Sequence, residues 1–240
     1  VQKQTNAPRA YVLPQLIEGK LKLAVGKLSY EGHAFEQIQG NLLLSDRTLS
    51  FNDIKFKTSG ANVAGSVKIK EQSEEYFQTV STLNSSNIQL KTLMKDWNNF
   101  TQTVIRDEHI SGQAAASLYL DAPFDLRSGA NFKHVKADLQ LKIENGRLKG
   151  VEAFKDIVES LKTPAAKLVL GSGNIKSLGD KLSDLKFETL ENTLTIRDGV
   201  ITIPEMKINS SALNIETRGT HTFDNKIDYR FSFRLRDLKE

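Results

Sequence analysis

The stretch Val135-Lys136-Ala137-Asp138-Leu139-Gln140-Leu141-Lys142-Ile143-Glu144 decides the fold. Its odd positions are apolar and its even positions polar. Successive side chains of a strand point to opposite faces, so this pattern specifies a strand with one apolar and one wet face. The same period returns near the C-terminus. There Ile227, Tyr229, Phe231, Phe233 and Leu235 interleave with Asp228, Arg230, Ser232 and Arg234. It begins near the N-terminus, where Leu21, Leu23 and Val25 share one side of Lys20–Val25. Few segments carry a helical period, so a long antiparallel sheet must hide an apolar face with little to cover it.

Working outward, the alternation predicts strands at Lys20–Val25, Lys27–Glu31, Ala34–Leu44, Leu49–Phe51, Ile54–Thr58, Val63–Ile69, His109–Leu120 and Lys133–Ile143. Turn residues punctuate them at Gly26, Gly32, Asp46-Arg47 and Ser59-Gly60. Tyr76–Leu83 fits either a helix or a strand. Asp121–Asn131, with Pro123 and Gly129, reads as a loop, and Asn145-Gly146 as a hairpin turn before Leu148. Two helices stand out. Gln89–Phe100 places Leu90, Leu93, Met94 and Trp97 at helical spacing, with Asn87 as a candidate cap. Val151–Leu161 places Phe154, Ile157, Val158 and Leu161 on one side, and Pro164 ends it. Lys167–Gly179 gives no clear pattern, Gly179–Ser183 fits one helical turn, and Leu185–Leu235 reads as about five strands.

An ungapped internal echo joins two of these regions. Leu42–Ser59 matches Leu194–Ser211 at a constant offset of 152 (194 − 42). Leu42, Leu44, Leu49, Phe51, Ile54 and Phe56 fall on Leu194, Ile196, Ile201, Ile203, Met206 and Ile208, and Asp46 and Asp53 fall on Asp198 and Glu205. A β-meander module used more than once explains this. The organisation expected is a frayed segment over 1–13, a first meander with a helix over 14–105 and a second over 106–240, the two forming one continuous sheet.

Composition narrows the function classes. The 240 residues include no Cys, which excludes disulfides, thiolate metal sites and a thiol nucleophile. The net charge is +4, with Lys and Arg scattered along wet strand faces and not interleaved with aromatics, so no nucleic-acid partner is expected. No stretch approaches the ~18 apolar residues of a membrane span. The chain opens on Val1 and not on Met, which suggests a processed form or fragment that has lost an N-terminal anchor or signal.

Two strings carry a family resemblance. Residues 139–157, LQLKIENGRLKGVEAFKDI, join an alternating strand and an Asn-Gly turn to a short strand and a helix. Residues 185–233 run strands through turns at Asp198-Gly199, Ser210-Ser211 and Asp224-Asn225. Together they resemble the C-terminal region of AsmA-like proteins of bacterial envelopes. Gly40-Asn41-Leu42-Leu43-Leu44 and the Gly60 turn look like the preceding meander of that family. The resemblance implies a periplasmic domain of an inner-membrane-anchored protein of a Gram-negative bacterium. It implies a role in outer-membrane biogenesis and in phospholipid transport or homeostasis. It also implies kinship with bridge-like lipid-transfer proteins, whose curled sheet carries acyl chains on its inner face.

No catalytic constellation accompanies these features. His33, His109, His134 and His221 lack metal-ligand spacing, Gly171–Gly173 lacks the Lys-Ser/Thr ending of a phosphate loop, and no G-x-S-x-G elbow is present. The chain therefore reads as non-enzymatic, without cofactor or metal. The fold expected is mainly β with a few helices: a long twisted antiparallel meander sheet curled into a groove or flattened barrel, with two or three short helices. The apolar strand face is either a closed sandwich core or an open groove for phospholipid or another acyl lipid. Val135, Leu139, Leu141, Ile143, Tyr229, Phe231 and Phe233 are the candidate groove residues, and Leu93, Met94 and Trp97 a candidate lid. The alternative function is a closed β scaffold that binds envelope proteins by strand addition at its edges.

Overall fold

The computed structural model describes residues 8–30, 32–101, 103–211, 214–224 and 226–233. Its strands are β1 (Gly19–Tyr30), β2 (His33–Ser45), β3 (Thr48–Thr58), β4 (Ala61–Ser73), β5 (Tyr76–Gln89), β6 (Ile110–Asp125), β7 (Gly129–Ala130), β8 (Lys136–Lys149), β9 (Asp184–Arg197), β10 (Val200–Asn209), β11 (Asn214–Thr222) and β12 (Ile227–Phe233). All twelve belong to one antiparallel sheet. Its order follows the chain from β1 to β12, with the two-residue β7 appended to β6. β1 and β12 pair only inward among the described residues, so the sheet is an open meander and not a barrel.

Cα partners in an antiparallel ladder share a face. The registers therefore trace one row across the whole sheet. It runs from Leu21 through Leu42, Phe51, Val67 and Ser81 to Leu120, Ala137, Ile196 and Ile201, and ends at His221 and Ile227. Eleven strands at ~4.8 Å spacing make this apolar face roughly 50 Å wide.

Several turn expectations fail because strands run on, through bulges in two cases, past residues that the sequence reads as breaks. Gly26 lies inside β1. Leu49–Phe51 and Ile54–Thr58 are one strand, β3, joined by a bulge at positive-φ Asp53. Asn145-Gly146 is not a hairpin but a bulge within β8, where Asn145 takes φ 51° and the register to β6 shifts. Gly146 is required there, because any Cβ would collide with the Phe187 ring from β9. Pro123 lies within β6, beyond Asp121, where pairing to β8 has ended and the missing N–H is not needed.

Among the described residues four α-helices form rather than two or three helices: α1 (Leu90–Asp96), α2 (Glu152–Ser160), α3 (Pro164–Leu170) and α4 (Ser172–Ser183). Pro164 starts α3 instead of merely ending α2, with Thr163 Oγ1 accepting the Ala166 N–H as a cap. Asn87 does not cap α1; it takes φ 57° and accepts a bond from Gln113 Nε2. The helices pack at one end of the strands. Val151, Phe154, Leu178 and Leu182 join Leu185, Phe187, Ile143, Ile208 and Ile215 in one buried cluster, and Leu90 of α1 joins it beside Ala114 and Ile88. Leu185 is wholly buried there.

The internal echo is structural. In the first module Thr48 pairs Lys70, Phe51 pairs Val67 and Ile54 pairs Gly65. In the second Val200 pairs Thr222, Ile203 pairs Gly219 and Met206 pairs Thr217, the same registers displaced by 152 (200 − 48). The bulges coincide, between Phe51 and Ile54 and between Ile203 and Met206. Even one turn bond repeats: Glu71 N–H to Arg47 O in the first module, Phe223 N–H to Gly199 O in the second.

Candidate functional site

The apolar face is covered unevenly along the strands. At the helix-covered end its residues are buried. At the opposite end Phe77 and Ala137 are buried, with Val135 at the entry to β8 and Phe77 stacked on Phe124 at 5.0 Å. Between these ends Leu42, Phe51, Leu83, Leu118, Leu139, Leu141 and Leu194 stay half-buried. A closed sandwich buries the middle of its strands most deeply. This sheet has no second sheet across from it among the described residues.

Of the candidate groove residues, Leu139, Leu141 and Ile143 lie on this face with Val135 in line, and Ile143 and Val135 are buried. Tyr229 is half-buried on β12, its hydroxyl 3.5 Å from His221 Nδ1, and burial raises its pKa. Phe231 and Phe233 pair with Thr217 and Ile215; their side chains lie outside the described residues, as does Leu235. Leu93 packs on the helix-end core, with Met94 half-buried beside it on α1. Trp97 stacks on His33 at 4.1 Å, tying the end of α1 back to the start of β2.

At the end away from the helices, residues 8–14 form a strap. The Glu71 carboxylate, 2% exposed, accepts N–H bonds from Val12 at 2.8 Å and Leu13 at 2.7 Å. Burial opposes its charge, but those N–H groups, the Glu75 N–H and Arg47 outweigh burial and lower the pKa. The Arg47 guanidinium lies 3.7 Å over the Tyr11 ring. Arg9 pairs with Asp125, holding that carboxyl at about 2, and Arg127 pairs with Glu75.

One feature of this face leaves no mark on the alternation. β9 and β10 pair at 195–197 with 200–202 and next meet only at an isolated bridge, Phe187 to Ser210. Between these points the seam is unzipped. The equivalent seam of the first module is closed, with Asn41 paired to Asn52 and Gln39 to Lys55. Two positions account for the difference. A Cβ on Gly40 would stand 3.1 Å from the Ile54 Cα, tighter than an ordinary contact, so glycine at position 40 eases the approach of β3 to β2. The second module has Asn192 there, and Pro204 where the first has Asn52, which removes one ladder donor. Concave openings of about 740 and 650 Å³ flank the seam, the first at Phe187, Thr189, Asn209 and Ser210, the second chiefly on the wet face at Ser117, Gln140, Lys142, Glu191 and Thr193. Asn192 Oδ1 accepts the Thr193 N–H at 2.8 Å, while its Nδ2 is buried with no hydrogen-bond partner among the described residues.

Among the described residues no His/Cys/Asp/Glu cluster could hold a metal, and no helix is long and apolar enough to cross a membrane. No family model matches the chain, and no curated protein or solved structure is significantly similar to it.

Proposed function

We propose that this chain is a non-catalytic, lipid-interacting domain of the periplasm. It would serve outer-membrane biogenesis and phospholipid transport or homeostasis as part of an inner-membrane-anchored, AsmA-like protein of a Gram-negative bacterium. The observation that carries this reading is the continuous apolar face with a half-buried middle and no opposing sheet among the described residues. An acyl chain laid along it gains ~0.8 kcal/mol per buried CH₂, while a polar headgroup stays at the wet border. The helices at one strand end and the strap at the other narrow the face to a trough.

Native mass spectrometry of the purified protein, combined with a photo-crosslinking residue at Leu141 or Lys142, tests this. Co-purifying phospholipid and a lipid crosslink at Leu141, but not at Lys142 on the wet face, is the expected result. A lipid-free protein without a crosslink at Leu141 overturns it.

A second reading draws on the edges. β1 is a twelve-residue edge strand with Leu21 and Val25 exposed, a template for strand addition by an envelope protein. The scaffold then works through an open sheet and not a closed one.

A further inference from the structure

We propose that the outer edge of β1 receives an antiparallel strand from a partner polypeptide, with apolar side chains opposite Leu21, Leu23 and Val25 and carboxylates opposite Lys20 and Lys22. This rests on the strand-addition reading above and adds the direction, register and chemistry of the incoming strand.

The internal echo shows what belongs beside β1. β2 is the counterpart of β9 at the offset of 152, and each has a strand paired to it on the same side. Leu21, Leu23 and Val25 pair with Leu42, Gly40 and Ile38. Leu139, Leu141 and Ile143 pair with Leu194, Asn192 and Leu190, the counterparts of those three residues. β1 is therefore the counterpart of β8 at an offset of 118 (139 − 21), and both carry the alternation Leu-x-Leu-x-Val/Ile. On its far side β8 is covered by β6, which sets Leu118, Ala116 and Ala114 opposite Leu139, Leu141 and Ile143. On its far side β1 has no strand among the described residues. Leu21 is 63% exposed there, whereas its counterpart Leu139, flanked by strands on both sides, is half-buried. β1 also lacks the proline or register shift that blunts many edges.

Charge and direction select the occupant. Lys20 and Lys22 are exposed, and β2 sets Leu43 and Asn41, not carboxylates, opposite them. An incoming strand with acidic residues at those positions supplies the missing cross-strand pairs. A second copy fits poorly by either edge. Pairing β1 with β1 about a twofold axis at Leu21 sets Lys20 opposite Lys22, a like-charge contact. β12 is ten antiparallel steps from β1 and so runs in the same direction. Offered by a second copy with its apolar face on the same side, it would break the antiparallel order. The occupant is thus a different segment, built like β6 but acidic between its apolar residues.

The probe is a labelled peptide of residues 110–120, the β6 sequence, carrying Ser117→Glu and Tyr119→Glu. The β8 register places those positions opposite Lys22 and Lys20. A twin peptide carries Ser117→Lys and Tyr119→Lys. Fluorescence anisotropy should show the acidic peptide binding about three- to tenfold more tightly than its twin. Lys20→Glu combined with Lys22→Glu, at two exposed positions, should reverse that preference. Disulfide trapping reads the direction. The chain has no Cys, so Leu21→Cys provides a single thiol. It should trap an acidic peptide carrying Leu118→Cys and not one carrying Ala114→Cys.

Equal affinity for the two peptides, or a preference that the double variant does not reverse, overturns the charge assignment. Trapping of the Ala114→Cys peptide overturns the direction. Both results leave strand addition standing. A wild-type dimer that the acidic peptide does not dissociate gives the edge to a second copy and overturns the partner. Binding of neither peptide at millimolar concentration overturns the strand-addition reading, and this inference falls with it.

Discussion

The two modules, β2–β4 and β9–β11, share a hairpin turn, a bulge and a ladder register at a fixed offset of 152 residues (203 − 51), yet they are held in different ways. The first closes its β2–β3 seam over Gly40 and is fastened at its turn end by the strap on Glu71 and Arg47. The second leaves its seam open at Asn192, lies under α2 and α4, and places Phe223 against Phe132 at the position of Glu71, ring centroids 5.4 Å apart. Backbone pattern is therefore carried by turn and bulge residues, while cover and seam are set by a few side chains that the pattern leaves free.

The largest expected effect separates the modules by cover. Phe187 is buried against Gly146 and the helix cluster, and its counterpart at the same offset, Phe35, is half-buried edge-on to Phe56. Phe187→Ala should lower the urea-unfolding free energy by roughly 3–5 kcal/mol, and Phe35→Ala by only about 1 kcal/mol. Equal losses would break the comparison. The next effect concerns the seam. Gly40→Asn with Asn52→Pro should open the first seam at a cost of roughly 2 kcal/mol, and amide exchange at 38–41 should accelerate. Unchanged protection there would remove Gly40 as the cause of the closed seam.

Acid should separate the modules too, with a loss that is absent at neutral pH and grows below it. Glu71, Glu75 and Asp125 all have lowered pKa values in the folded chain. A depressed folded pKa contributes stability above the unfolded value and loses it as pH falls through the folded one. For Asp125 that window runs from the ordinary 3.8 down to about 2. Exchange protection at 12–13 and 71 should therefore fall between about pH 5 and about 2, while that at Phe223 holds. Asp125→Asn should flatten the response, and equal acid sensitivity at the two turns would remove the distinction. The smallest effect is at Arg197, an exposed residue that bonds Ala137 O at 2.7 Å and pairs with Asp138, and whose counterpart is Ser45. Arg197→Ser should change the thermal midpoint by less than the equivalent of about 1 kcal/mol.

The alternation at Val135–Glu144 makes the sheet, its apolar face and the placement of Leu139 and Leu141 legible in the sequence, because period two is a local signal. The echo is legible for the same reason. Breaks in the sheet are not, since Asn145-Gly146 and Asp53 supply the positive φ that hairpin turns and bulges both use. What separates those outcomes is the partner strand, which the local sequence does not carry. Only the last turn of α4, Gly179–Ser183, is legible; α3 and the start of α4 are hidden because Gly171, Ser172 and Gly173 look like a connector, although Leu170, Ile175 and Leu178 are buried at helical spacing. The open seam cannot be read from Asn192 alone. Its signal is the contrast between position 192 and Gly40, which the internal echo aligns.

Every strand of the sheet pairs with its neighbour in the chain, except that β8 pairs with β6 past the two-residue β7. Among the described residues such a meander has no closing contact that fixes its length. A duplicated hairpin inserted at a turn lengthens the apolar face by roughly 10 Å and leaves every other register intact. The paired modules have the form that such a duplication leaves. The width of the sheet is thus a quantity that inheritance can adjust in steps of one hairpin, like links added to a chain, without redesigning the links already there.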